Sequence, residues 1–122
     1  MIDTIRSSLP TKRGDVVLVL YPNSDLRTAK RRPALVVQAD DLDTGLQQVV
    51  VAMISSRLFR ANHPSRVLIS LADQKGMDSG LLSDSVVMTD NLATVFTQAL
   101  ERTIGTLPMD EIDSALKHTL GL

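Results

Sequence analysis

Residues Gln48–Ser55 read QVVVAMIS, a β-branched run that is apolar at odd and even positions alike. Valine and isoleucine are stiff at χ1 and fit a pleated chain. Successive strand side chains point to opposite faces, so a strand apolar on both must be covered on both, which places it inside a sheet.

Such a strand needs partners on either side. Lys12–Tyr21, KRGDVVLVLY, gives a Gly-Asp turn and a continuous apolar strand, and Pro22–Lys30, PNSDLRTAK, is loop chemistry. A residue before proline is pushed out of the helical region, so Arg32 is extended and Pro33 opens a second strand, Ala34–Gln38. Asp40–Gly45, DDLDTG, is a turn, and Arg57–Ser65, RLFRANHPS, is irregular and basic. Arg66–Leu71 reads as a strand, Gln74–Gly80 as a loop with two glycines, and Leu81–Asp90 as a short turn and a strand ending in hydroxyl and acid. Thr97–Glu101 reads as one helical turn and Arg102–Leu107 as a short edge strand.

Only the last segment is plainly helical. Over Pro108–Leu120, Ile112, Leu116 and Leu120 recur on one face. Pro108 suits the first turn, Asp110 and Glu111 the positive helix start, Lys117 and His118 the negative end, and Gly121 the stop. The expected fold is therefore mainly β: five or six short, mostly antiparallel strands in a small, partly open barrel closed by a carboxy-terminal helix.

The 122 residues form one domain over 1–122, with residues 1–11 a loose amino-terminal extension. No cysteine is present, so disulfides, thiolate zinc sites and cysteine nucleophiles drop out together, and a reducing, cytoplasmic setting is expected. The start, MIDTIRSSLP, lacks the apolar stretch of a signal peptide. The runs VVLVLY and VVVAMI fall far short of the roughly 20 residues that cross a bilayer, so no membrane partner is expected.

Net charge is −1, but the charges are unevenly placed. Residues 1–66 hold ten of the thirteen Lys and Arg and six of the fourteen acids, leaving this half at +4 and the rest at −5. A near-neutral molecule can thus carry a cationic patch that attracts a polyanion. The only aromatics are Tyr21, Phe59 and Phe96, so a nucleic acid would be held by cations and hydroxyls rather than by stacking.

Lys30, Arg31 and Arg32 stand in a row directly before Pro33, at the mouth of an apolar strand. In an antiparallel pair the start of one strand lies beside the end of the next, so Arg32 can meet the Ser55–Ser56 pair at one rim of the sheet. Asp90 ends a later strand. Only one of the two serines can face the arginine, and a strand apolar on both faces does not say which. Guanidinium, hydroxyl and carboxylate together suit phosphate chemistry, because arginine presents a fixed fork of donors, stays charged and stabilises a phosphorane-like transition state. The plain structural alternatives are an ion pair of Arg31 or Arg32 with Asp40 or Asp25, and backbone capping by the serines. His63 and His118 read as separate solvent histidines. Asp40, Asp41 and Asp43 have ligand chemistry for Mg²⁺ but read as a solvated turn, so no metal or cofactor is expected. KRGD lacks the glycine spacing of a phosphate loop.

The segments KRGDVVLV, KRRPALVVQ, VVVAMISS, GLLSDSVV and IGTLPMDEIDSALKHTLGL follow one another as in the MazF/PemK toxins, the ribosome-independent mRNA interferases of bacterial toxin-antitoxin pairs, which the chain resembles from Lys12 to Leu122. The resemblance implies an SH3-like plasmid-maintenance-toxin barrel that forms a homodimer, cuts single-stranded RNA without a metal and is neutralised by a MazE/PemI-like antitoxin. It makes Arg32 the catalytic arginine and Ser55 the catalytic hydroxyl, a serine where many relatives have threonine. Asp90 corresponds to a family acid, a proton acceptor or positioning group. Lys30, Arg31, Ser56, Arg57 and Arg60 are the expected RNA-binding residues. Two positions depart from the pattern, since Met88 and Ala93 stand where relatives carry arginines. The alternatives are a catalytically degenerate relative that serves as a dimeric binding module, and a gyrase poison of the CcdB type. The second depends on a terminal Trp-Gly-Ile, whereas this chain ends Leu-Gly-Leu.

Overall fold

A computed structural model describes residues 11–22 and 25–122. The expected amino-terminal extension falls almost wholly outside them. Six strands, β1 Asp15–Pro22, β2 Ala29–Val36, β3 Gln48–Ser55, β4 Arg66–Ile69, β5 Ser85–Phe96 and β6 Leu100–Thr106, form one antiparallel sheet. Their order is β4-β5-β3-β2-β1-β6, which leaves β4 and β6 as edges. The QVVVAMIS strand is central, as its two apolar faces require, and each face buries a cluster of its own. One cluster joins Val16, Leu35, Ala52, Val67 and Val87 to Ile112 and Ala115 of the carboxy-terminal helix, and the other joins Val17, Val19, Ala34, Val36, Val51 and Val95.

Several boundaries differ from the sequence reading. β2 begins at Ala29, five residues early, so Lys30, Arg31 and Arg32 are strand residues opposite Tyr21, Leu20 and Val19 of β1. Pro33 lies mid-strand and is tolerated because the β2–β3 ladder starts only at Ala34. β5 does not stop at Asp90. Ala52 pairs with Leu92 and Met53 with Met88, so Thr89–Asn91 bulge out before the strand resumes as LATVF.

The expected 74–80 loop contains a short helix, α1 (Gln74–Asp78). Its Gly76 is there for space, since a Cβ would lie 1.9 Å from the Ser70 carbonyl oxygen. The helix α2 spans Asp110–Leu120 and ends at Gly121 in the left-handed conformation with φ 74°. Ile112 and Ala115 are buried and Leu116 is half-buried, while Leu120, expected on the same face, is 55% exposed. KRGD serves as a brace: Arg13 reaches Asp113 of α2 at 2.6 Å, and its backbone N–H donates to Asp40.

Residues 78–80 run against β6 without a ladder. A Cβ on Gly80, at φ +74°, would lie 2.0 Å from the Ile104 carbonyl oxygen, whereas one on Gly45, at φ +77°, would meet nothing within 4 Å. Gly80→Ala should therefore lower stability by roughly 2 kcal/mol or more, against about 1 kcal/mol for Gly45→Ala, which carries only the conformational cost. Urea unfolding midpoints of the two variants make the comparison. Equal losses would show that the 78–80 segment yields freely.

Candidate functional site

The β2–β3 register decides between the two serines. Ala34 faces Met53, and two residues further along each strand Arg32 comes level with Ser55 on the same sheet face. Val19 of β1 stands opposite Arg32 on one side, and Val86 of β5 opposite Ser55 on the other. Arg32 and Ser55 both line a groove of about 990 Å³.

The groove is lined by Lys30, Arg31, Arg32, Arg57, Arg60 and Arg102, six cations with no aspartate, glutamate or histidine among the lining residues. Ser55, Ser56, Ser83, Ser85 and Asn91 add hydroxyls and an amide, and Met53, Ile54, Leu81 and Met88 are among its apolar residues. Seven of the eight site residues expected from the sequence converge here, on elements up to 30 positions apart. Arg102 was missed because a single arginine in an edge strand carries no local signal; the β1–β6 register places it opposite Leu18, which also lines the groove.

The cations are not equivalent. Arg31 grips Glu101 on β6, with Nε 2.6 and 2.7 Å from the two carboxylate oxygens. This bond holds the Glu101 carboxyl below the usual carboxylate range and raises Arg31 above the usual arginine value. The alternative pairing of Arg31 or Arg32 with Asp25 or Asp40 does not occur among the described residues, and each acid accepts from backbone N–H groups instead. Asp25 accepts from the backbone N–H of Arg27 and Thr28, which lowers its pKa, and Asp40 accepts from that of Arg13. Among the described residues the Arg32 guanidinium makes no hydrogen bond or ion pair and is exposed. Ser55 Oγ accepts the Arg57 N–H at 3.1 Å, so capping of the strand end is real, but its hydroxyl proton remains free to donate.

Asp90 is the one expected site residue outside the groove lining. Its carboxylate binds Arg66, with Oδ2 2.7 Å from Nη2 and Oδ1 3.3 Å from Nε. That bond pushes its pKa down, which makes it a weaker base. His63 and His118 are exposed, as expected, but they face each other edge-on with ring centroids 6.0 Å apart, also outside the groove. Among the described residues no group of three or more His, Asp or Glu is placed to hold a metal ion. No helix among them is long and apolar enough to cross a membrane.

The departures at Met88 and Ala93 acquire a structural reading. Arg60 lies over Met88, Nη1 to Sδ 3.7 Å, so a guanidinium stands beside that methionine in the groove. Ala93 packs against the apolar cluster of Val17 and Val51 and gives the groove nothing.

Residues 12–120 match the model of the PemK-like, MazF-like toxin of type II toxin-antitoxin systems. The chain is 33% identical over 107 residues to the endoribonuclease MazF2 of Mycobacterium bovis, covering 84% of this chain and 90% of that protein. A solved endoribonuclease from a mycobacterial species superimposes with a TM-score of 0.69 at 24% identity, over 94% of this chain and 95% of its own. A second, solved in complex with its cognate antitoxin, gives 0.68 at 22% identity over 92% and 96%. At those identities the superpositions establish the shared fold, while the family match over nearly the whole chain and the 33% identity establish descent: the chain belongs to the PemK-like, MazF-like toxins of type II toxin-antitoxin systems.

Proposed function

We propose that this chain is a toxin endoribonuclease that binds single-stranded RNA in the cationic groove and cuts it by attack of a ribose 2′-hydroxyl on the adjacent phosphorus. The observation that carries the reading is the convergence in one groove of a strand-end hydroxyl and six cations, one of which, Arg32, has no ion pair or hydrogen bond among the described residues, with no acid in the lining. The P–O5′ bond breaks as the P–O2′ bond forms, leaving a 2′,3′-cyclic phosphate and a 5′-hydroxyl. Arg32 stabilises the charge that builds on the phosphoryl oxygens, and Ser55 donates its free proton to one of them. Arginine is effectively always protonated, so it is an electrostatic group and not a base. The groove lining offers neither carboxylate nor imidazole, so the 2′-hydroxyl proton passes to water or to a phosphate oxygen, and the departing 5′-oxygen takes its proton from water. Lys30, Arg31, Ser56, Arg57, Arg60 and Arg102 hold the flanking phosphates. The protein acts in the cytoplasm as a homodimer and is neutralised by a MazE/PemI-like antitoxin whose acidic segment competes for the same cations.

Incubation of the purified protein with a long single-stranded RNA, followed by mapping of the ends, tests the reading. Cyclic phosphate at the 3′ side and free hydroxyl at the 5′ side are expected, from a species sedimenting near twice 13.3 kDa. Binding without cutting would identify a degenerate binding module, and a strict monomer would remove the dimer.

A further inference from the structure

The groove wall that carries Arg57 and Arg60 is not part of the sheet. Residues 57–65 leave β3 at Ser55, form a 3-10 turn at Leu58–Ala61 and return to β4 at Arg66. A segment without a strand ladder holds its side chains in place only if its backbone is fixed elsewhere. The bulge in β5 supplies that fixing. Thr89 donates to the Ser65 carbonyl twice, from its N–H at 3.0 Å and its hydroxyl at 2.6 Å. Asp90 grips Arg66 with both oxygens, and Arg66 Nη1 donates to the Arg60 carbonyl oxygen at 3.3 Å. The three bulged residues thus have no β3 partner because two of them are turned to the 57–66 segment.

We propose that Asp90 is a positioning residue: through Arg66 it clamps the backbone of the 58–61 turn and thereby aims Arg57 and Arg60 into the groove, setting RNA affinity and taking no part in proton transfer. The proposal rests on the reading of the groove as the RNA site. Three observations favour it over the other role that the family resemblance leaves open for Asp90, that of proton acceptor. The carboxylate lies outside the groove lining, both its oxygens are committed to a guanidinium, and that guanidinium lowers its basicity. The fork geometry matters, because Arg66 uses Nε and Nη2 on Asp90 while Nη1 reaches the turn. A lysine cannot hold both ends at once. Arg60 is the more dependent cation, since its remaining contacts, Met88 Sδ at 3.7 Å and the Phe59 ring at 5.8 Å, are weak.

The experiment compares Asp90→Asn, Arg66→Gln and the double variant with the parent chain. Affinity is read by fluorescence anisotropy on a fully 2′-methoxy single-stranded RNA oligomer at two salt concentrations. Cleavage of an all-ribose RNA is read under single turnover at saturating protein across pH, and backbone amide exchange over 57–61 is read in the absence of RNA. Each single variant should raise Kd roughly 3- to 10-fold at low salt and flatten the slope of log Kd against log salt by about 0.7 for each phosphate that is no longer held. The double variant should be no worse than either single one, because both remove the same clamp. The saturated rate and the shape of its pH profile should hold, and amide exchange over 57–61 should accelerate several-fold.

A saturated rate that falls by 100-fold or more in Asp90→Asn alone, with unchanged Kd and loss of the acidic limb, would return Asp90 to proton transfer. Unchanged exchange over 57–61 in both single variants would remove the clamp. If the parent chain does not bind the oligomer, the groove reading fails, and with it the claimed effect on affinity, while the exchange measurement still decides whether the clamp exists.

Discussion

Arg32→Ala will lower RNA cleavage by roughly 10² to 10³, the usual effect of removing one preorganised charge contact from a transition state, while the protein stays folded. The separation follows from where Arg32 sits. Its backbone is held in β2 opposite Val19, but among the described residues its guanidinium has no partner and is exposed, so truncation leaves no buried group unsatisfied and should cost about 1 kcal/mol or less. Among the described residues no carboxylate pairs with Arg32, so it contributes little to the fold, and on the proposed reading its partner is a phosphate of the bound RNA. Arg31→Ala is the internal comparison. Its guanidinium is already spent on Glu101, and its loss should weaken RNA binding several-fold and flatten the salt dependence without approaching the Arg32 effect. Arg32→Lys should recover only part of the rate, because an ammonium keeps the charge and loses the fork. Single-turnover cleavage with a circular-dichroism melt of each variant checks all three. A parental rate in Arg32→Ala would show that the charge acting at phosphorus comes from elsewhere in the groove, with Arg102 the next to test.

How far the sequence could be read depended on whether a feature is local. The central position of Gln48–Ser55 was legible because two-sided apolarity has one solution. The meeting of Arg32 with Ser55 was legible in outline, since antiparallel neighbours put one strand's start beside the other's end. The choice of Ser55 over Ser56 needed the Ala34–Met53 register, which no local pattern contains. The β2 start was misplaced because Pro33 is a strong opening signal, and here the proline sits where one side of the strand is still without a ladder. Thr89 and Asp90 read as a strand end for a similar reason. Asp and Asn are poor strand residues, and nothing nearby announces that a bulge will carry them while β3 pairing resumes at Leu92.

Asp90 shows the limit most clearly. The family resemblance offered it as a proton acceptor or a positioning group, and the contacts that bear on that choice are with Arg66, 24 residues away on a neighbouring strand, and through it with the 58–61 turn. Arg102 and Glu101 entered the site in the same way, through a β1–β6 pairing that joins distant parts of the chain. Residue types announce chemistry, whereas register decides which of them share it.

Replacing the ribose at the mapped cut site by a 2′-deoxy or 2′-methoxy sugar will abolish cleavage at that bond and leave binding within a few-fold of the all-ribose oligomer, and excess EDTA will leave the rate on the unmodified RNA unchanged. The groove's donor set gives the reason. Six cations and no carboxylate line it, so a divalent ion would meet repulsion where it needs anionic oxygen ligands. Water would have to be activated by a base, and the lining offers neither imidazole nor carboxylate for that task. A 2′-hydroxyl already held next to its phosphorus needs neither, because the attack is intramolecular and starts with the large effective concentration of a positioned neighbour. The modified sugars remove the nucleophile and keep the phosphates, so they separate binding, which the cations supply, from chemistry, which the substrate supplies. Parallel measurement of anisotropy and of cleavage on the same oligomers reads both. Cutting of the modified bond, or a rate that EDTA removes and Mg²⁺ restores, would require an external nucleophile and a metal. The ligands would then have to be sought outside the groove lining, beginning with Asp40, Asp41 and Asp43 in the turn before β3.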